Sequence, residues 1–249
     1  RTSFFDSSGR FLNSFAWRVN YFNYILVNNS SYVVGERAYS GIRENGYFYV
    51  KEIDFEGNEV RSYGEFTMSE SLIIRDGSRT TYTSPPVSRS SVLKGDHNKE
   101  LVYHCLNDKY LIEAYNAEGK LFRKIDRPYE PVPFTNKDAE EYRASHDYPG
   151  VSEVVRKAIQ NLKMPKIKSI VVRMYVDDKS NLWVRTNEKK EKEGKTLTAF
   201  DIFDQDGFYD AKVWTEFAPF IFKKGKMYRT DVDQDTGYRT IKRYKVVWE

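Results

Sequence analysis

The sequence predicts an all-β chain of β-propeller type with one helical insertion, and three observations predict it. First, a short phrase recurs four times: an apolar pair, an acidic or amide residue, two spacers, glycine, then a new apolar run. It reads Phe4-Phe5-Asp6-Ser7-Ser8-Gly9, Ile53-Asp54-Phe55-Glu56-Gly57, Ala114-Tyr115-Asn116-Ala117-Glu118-Gly119 and Ile202-Phe203-Asp204-Gln205-Asp206-Gly207. Each copy is a β-hairpin signal, with an Asx-type turn and a glycine free to take positive φ between two alternating strands. A supersecondary unit used repeatedly marks a repeat architecture. Second, 16% of the 249 residues are aromatic, 19 of them Tyr and 16 Phe, a bias that suits half-buried pleated surfaces. Third, helical spacing is confined to one stretch.

The elements follow in order. Ser3 to Phe15 gives the last two strands of a unit. The turn glycines Gly9, Gly57, Gly119 and Gly207 then lie 48, 62 and 88 residues apart, against roughly 40–50 residues for a four-stranded propeller blade. The second interval is stretched by Asp76 to Ser91, whose Ser/Thr/Pro/Arg composition reads as a surface excursion. The third contains the insertion Arg127 to Pro165. Pro128, Pro131 and Pro133 make an extended lead-in, and Thr135 with Asp138 caps a helix over Asn136 to Ser145. A second helix over Ser152 to Leu162 aligns Val154, Val155, Ala158, Ile159 and Leu162 on one face. Strands resume with Ile170 to Val176, turn at Asp177 to Asn181, and continue as Leu182 to Arg185. After the fourth phrase, Pro219 to Phe222, Lys226 to Thr230 and Tyr238 to Trp248 give three strands. The chain, 1–249, is expected to be a single domain of about four blades, with 127–165 as a helical insertion between blades.

The net charge of +4 and the mixed-sign run Glu188 to Glu193 contain no long basic stripe, so nucleic acid is not the expected partner. The single cysteine, Cys105, excludes an intrachain disulfide. No apolar run approaches the roughly 20 residues that span a bilayer.

Several residues resemble a known family. Tyr115-Asn116-Ala117-Glu118-Gly119-Lys120-Leu121, Arg127-Pro128-Tyr129-Glu130-Pro131-Val132-Pro133 and a helical insertion come in sequence. Tyr175-Val176-Asp177-Asp178 and Leu182-Trp183-Val184-Arg185-Thr186 follow them. Together with Phe203-Asp204-Gln205-Asp206-Gly207 and Tyr244-Lys245-Val246-Val247-Trp248, these resemble bacterial six-bladed β-propeller proteins of the NHL-like type, best from Leu101 onward. The resemblance implies a six-bladed ring in the full protein, with an N-terminal portion, and any lipid anchor it carries, lying outside this numbering.

The chemistry-bearing residues point to no active site. Asp231-Val232-Asp233-Gln234-Asp235-Thr236-Gly237 begins like a calcium loop, but Thr236 and Lys242 occupy the places where an EF-hand needs glycine and glutamate. His104 and Cys105 are neighbours on a strand and point to opposite faces; Cys105 is expected in the core, and His97 and His146 at the surface. No nucleophile elbow, P-loop or dinucleotide fingerprint occurs. The sequons Asn28-Asn29-Ser30 and Asn29-Ser30-Ser31 are common by chance. No catalytic, metal or cofactor-binding residue is therefore assigned, and no cofactor is expected. The expected function is a non-catalytic binding scaffold that engages a protein or polymer partner. Its expected setting is a bacterial envelope or extracellular assembly: periplasmic, outer-membrane-associated or extracellular, with cytoplasmic as the alternative. The competing expectation is a ring-centre metal-dependent lyase or hydrolase, with ligands partly in N-terminal blades outside this numbering.

Overall fold

The computed structural model describes residues 2–5, 8–15, 21–26, 31–38, 45–54, 56–70, 72–219, 221–233 and 235–246. The all-β expectation is met by a succession of small antiparallel sheets in which neighbours in sequence pair in space. β1 (Thr2–Phe5) and β2 (Phe11–Phe15) form a two-stranded sheet. β3 (Tyr21–Leu26), β4 (Ser31–Ala38), β5 (Asn45–Asp54) and β6 (Glu59–Glu70) form a four-stranded meander, here sheet I. β7 (Leu72–Asp76) and β8 (Arg79–Thr83) make a separate hairpin.

Sheet II is the meander β9 (Ser91–Asp96), β10 (Leu101–Leu106), β11 (Leu111–Tyr115) and β12 (Leu121–Asp126). Between it and sheet III lie helices α1 (Asn136–Ser145) and α2 (Glu153–Gln160). Sheet III comprises β13 (Val171–Val176), β14 (Leu182–Lys192), β15 (Lys195–Phe203) and β16 (Tyr209–Thr215). Sheet IV has β17 (Ile221–Lys223), β18 (Lys226–Val232) and β19 (Arg239–Lys245).

The recurring phrase forms the turn between the third and fourth strands of each meander. In all three described turns the Asx side chain closes the loop. Asp54 Oδ1 accepts the N–H groups of Glu56 and Asn58, Asn116 Oδ1 those of Glu118 and Lys120, and Asp204 Oδ1 those of Asp206 and Phe208. In the first copy Asp6 and Ser7 lie outside the described residues, as do the sequon residues Asn28, Asn29 and Ser30.

The structure adds a fifth copy that the glycine pattern does not reveal. At Asp177–Asn181 the same carboxylate accepts from Lys179 and Asn181, with Ser180 at φ +65° in the glycine's place. Left-handed backbone costs a non-glycine residue about 1–2 kcal/mol, and the hydroxyl explains why serine is there. Ser180 Oγ donates to Asp96 Oδ1 of sheet II at 3.2 Å, and both residues are buried.

The sheets pack face to face through their alternate residues. Between I and II lie Val50, Tyr63, Phe66 and Val102. Between II and III lies the largest core, including Tyr103, Cys105, Ile112, Ile125, Val171, Met174, Leu182, Val184 and Phe203. Tyr175, Trp183, Phe200 and Ile202 of sheet III pack on Phe222 of sheet IV. Burying such side chains contributes about 1.5–3 kcal/mol each.

The same spatial relation recurs from sheet to sheet. A Cβ at Gly119 of sheet II would lie 3.5 Å from the Ser62 carbonyl and 3.9 Å from Arg61 Cδ of sheet I. A Cβ at Gly207 of sheet III would lie 2.8 Å from Arg123 Cδ of sheet II. Arg61 and Arg123 each stand four residues past their own turn glycine, so equivalent positions meet. The first turns are also chained: Asn98 Nδ2 donates to the Asp178 carbonyl, and the Gly225 N–H donates to Asp178 Oδ2.

Candidate functional site

A meander puts its first and third turns at one end and its connections to neighbouring sheets at the other. The two long connections of this chain, 71–90 between sheets I and II and 127–170 between II and III, therefore share an end, and they meet.

The longer connection is closed at its base. Pro133 bridges Ile167, the Phe134 N–H donates to the Lys166 carbonyl, and the Lys168 N–H donates to that of Val132. Arg127 and Tyr129 seat the lead-in against sheet III. Arg127 Nη1 stands 2.5 Å from Asp201 Oδ1, and its guanidinium lies 4.0 Å over the Tyr209 ring. The Tyr110 hydroxyl donates to Asp201 Oδ2 at 2.8 Å, and Tyr129 packs on Tyr110 with ring centroids 5.5 Å apart. Burial pushes the Tyr110 phenol well above its usual range, with Asp201 adding to the effect, so it stays a donor.

Helix α1 begins as the sequence predicts. Thr135 caps it, Asp138 returns the bond to the Thr135 N–H at 2.8 Å, and Lys168 Nζ reaches Asp138 at 2.5 Å. Against the opposing effect of desolvation, these contacts hold the Asp138 carboxyl at about 2. Helix α2 starts at the Ser152 cap and buries Val155 and Ile159. Val154, grouped with them by spacing, is instead exposed.

The cover for α2 is the β7–β8 hairpin. This revises the reading of Asp76 to Ser91 as a surface excursion: Gly77 at φ +58° turns the segment into a hairpin, and the apolar run before it needs a partner. Ile74 packs with Val155 and Ile159, with Leu72, Tyr142, Val151 and Ala158 around them. Polar contacts fix the register. Thr83 Oγ1 lies 2.8 Å from His146 Nε2, His146 Nδ1 lies 2.9 Å from the Tyr142 carbonyl, and the Tyr142 hydroxyl donates to the Ser84 carbonyl at 2.9 Å. A carbonyl only accepts, so Nδ1 donates to Tyr142, and Nε2 shares a hydrogen bond with the Thr83 hydroxyl. His146, expected at the surface, is thus the join between the two connections.

Asn107, in the turn between β10 and β11, pins both to sheet II. Its Oδ1 accepts the Ser90 N–H at 2.9 Å; its Nδ2 donates to the Ser88 carbonyl at 2.7 Å and to Ser169 Oγ at 3.2 Å. Its own carbonyl accepts from Ile170. Sequence reasoning passed over Asn107, because an Asn-Asp pair reads only as a turn former.

The resulting layer is charged and open. The two segments contain eleven Lys/Arg and seven Asp/Glu, so they carry the chain's whole net charge of +4 and leave the remaining residues neutral. Arg75, Arg79, Lys163 and Lys166 are exposed and make no ion pair among the described residues. Tyr82 and Tyr148, in the same two segments, are exposed as well. A cleft of about 130 Å³ lies between the helices, lined by Arg143, His146, Asp147, Arg156 and Gln160 among others.

The remaining chemistry-bearing residues are accounted for locally. Cys105 is in the core and its thiol is pushed up to about 12 by burial, with Asp108 adding to the shift. His104 points the other way, toward Phe66 of sheet I at 4.2 Å between ring centroids. Its Nε2 contacts Ser91 Oγ at 2.9 Å, whereas its Nδ1 is 3.9 Å from Glu113. That order of residues echoes a nucleophile–base–acid array, but the second link is too long for a hydrogen bond and the ring is 9% exposed beneath Phe66. Asp233 caps its own turn, and Asp231 pairs with Arg229 and Lys242. His97 is exposed. Among the described residues no three His, Cys, Asp or Glu side chains are arranged to hold a metal, and no helix is long and apolar enough to cross a membrane.

No protein-family model and no curated protein matches the chain.

Proposed function

We propose that the sheets are successive blades of a β-propeller and that the protein is a non-catalytic binding scaffold. Its docking face is the layer built from 71–90 and 127–170, and its partner is a protein or polymer bearing acidic groups. The ring reading is supported by the equivalent contacts that each sheet makes with the one before it, Gly119 on Arg61 and Gly207 on Arg123. It is supported too by the chained first turns and by β13 lying against β9, first strand to first strand. The resemblance to bacterial six-bladed NHL-like propellers belongs to the same proposal, as does a place in the cell envelope or outside the cell.

The observation that carries the docking reading is the joining of two connections, distant in sequence, into one layer by Asn107 and His146. A solvent-exposed loop needs no such bracing, and an excess of positive charge on one face attracts acidic surfaces.

The test is charge reversal on the layer. A chain with Arg79→Glu, Lys163→Glu and Lys166→Glu is compared with the wild type and with Lys120→Glu on sheet II, each immobilised and exposed to fractionated native extract. The expected result is a discrete partner retained by the wild type and by Lys120→Glu, released by salt, and lost from the triple variant. Retention of the same partners by all three proteins would sink the proposal.

A further inference from the structure

Two arginines stand opposite each other on the face of sheet III that carries Tyr175 and Trp183, Lys94 of sheet II lies near Arg173, and neither arginine has a carboxylate partner among the described residues. Arg173 of β13 and Arg185 of β14 are direct partners in the antiparallel ladder. Like charges placed opposite each other across two strands cost stability. Strand β13 packs against β9, which contributes Lys94. Burial holds the Lys94 ammonium below its usual range, repulsion from Arg173 lowers it further, and Asp96 opposes both.

Elsewhere sheet III neutralises cations, as Asp201 does for Arg127 and Lys212. Arg173, Arg185 and Lys94 have no ion pair among the described residues. Arg185 Nε is buried with no hydrogen-bond partner of its own, and the nearest polar group to the two guanidinium groups is the Tyr175 phenol, which carries no charge to balance theirs. Tyr175 shares the face, with the Arg173 guanidinium 5.5 Å from its ring centroid. Arg173 itself is exposed, so the cluster opens to solvent.

We infer that Arg173, Arg185 and Lys94 form a binding site for an oxyanion, the phosphate or carboxylate group of an acidic ligand. Guanidinium groups present N–H donors in a planar fork that matches two oxygens of such a group, and the ammonium adds a compact charge. An oxyanion seated there supplies the acceptor that Arg185 Nε lacks and turns the repulsive pair into a clamp. The phenol of Tyr175 stays protonated, because burial raises its pKa against the pull of the two arginines, and it remains available as a donor. The inference is independent of the docking layer, which it does not touch.

The test uses the whole chain in chloride buffer of fixed ionic strength, titrated by calorimetry and by thermal unfolding with inorganic phosphate and, separately, with malonate. The wild type is expected to bind one of them saturably, phosphate assigning a phosphoryl ligand and malonate a carboxylate one. Arg173→Gln is expected to weaken that binding at least tenfold while unfolding, without anion, no earlier than the wild type, since one of two opposed charges is gone. Lys94→Gln gives a second reading of the same kind. Absence of saturable binding by either anion would overturn the inference. So would Arg173→Gln binding with undiminished affinity, or unfolding markedly earlier without anion, which would make the arginine a structural prop.

Discussion

His104 makes the stability of this protein depend on pH in a way that can be isolated. The side chain is buried between sheets I and II, with Phe66 over the ring, Ser91 at Nε2, and Glu113 near Nδ1, itself bonded by Tyr115 and paired with Lys124. Burial lowers its pKa from 6.5 to about 4, the nearby Glu113 pulling weakly the other way. The folded protein therefore resists a proton that the unfolded chain accepts. Well above pH 6.5 both states are neutral and the histidine costs nothing; as pH falls through 6.5 toward about 4 the unfolded state gains progressively. The shift corresponds to about 3 kcal/mol in full, and about 2 kcal/mol of it is lost between pH 7 and pH 5. In His104→Gln this loss disappears. The constant cost of the substitution is the same at both pH values, and the other titrating groups cancel when variant and wild type are compared. Urea unfolding followed by tryptophan fluorescence at pH 7, 6 and 5 reads the difference. The wild type should lose about 2 kcal/mol more than the variant over that interval; parallel curves for the two proteins would refute the reasoning.

Four further outcomes are expected. Asn107→Ala removes three side-chain hydrogen bonds to Ser88, Ser90 and Ser169; it should cost about 3 kcal/mol in urea unfolding and speed proteolytic cleavage within 130–165. Ser180→Ala should be less stable than Ser180→Gly, because both lose the bond to Asp96 and only glycine escapes the left-handed strain, a gap of about 1 kcal/mol; equal midpoints would show that the turn relaxes. Gly207→Ala, at φ +81° with a new Cβ that meets Arg123 at 2.8 Å and so displaces that side chain, should lower the unfolding free energy by about 1–2 kcal/mol. Gly77→Ala, at φ +58° with open space around it, should cost about 1 kcal/mol.

The elements that were legible in the sequence are those held together over a few residues. The Asp54, Asn116 and Asp204 turns close on N–H groups two and four positions away, so Asx and Gly at fixed spacing announce them. The cap at Thr135 reaches three residues ahead and announced the start of α1, whereas α2, which follows the Ser152 cap, was read from apolar spacing alone. Cys105 and His104 were correctly placed on opposite faces because a strand alternates strictly. The turn at Asp177 to Asn181 was legible, but not as a copy of the phrase, because serine stands where the pattern asks for glycine, and the reason for serine lies 84 residues away at Asp96.

The layer and the cation cluster divide in the same manner. The sequence by itself determined that the chain is mostly β, that hairpins repeat, that two helices interrupt them near Arg127 to Pro165, and that the net charge is small and positive. Only the tertiary structure decided that the hairpin at 72–83 covers α2, that His146 meets Thr83, and that Asn107 gathers Ser88, Ser90 and Ser169. It alone set Arg173 opposite Arg185 and beside Lys94. The physical reason is range. Turns and caps are satisfied by neighbouring backbone, so their residue types carry the information locally. A buried asparagine or an unanswered arginine has meaning only through partners that the docking of whole sheets brings to it.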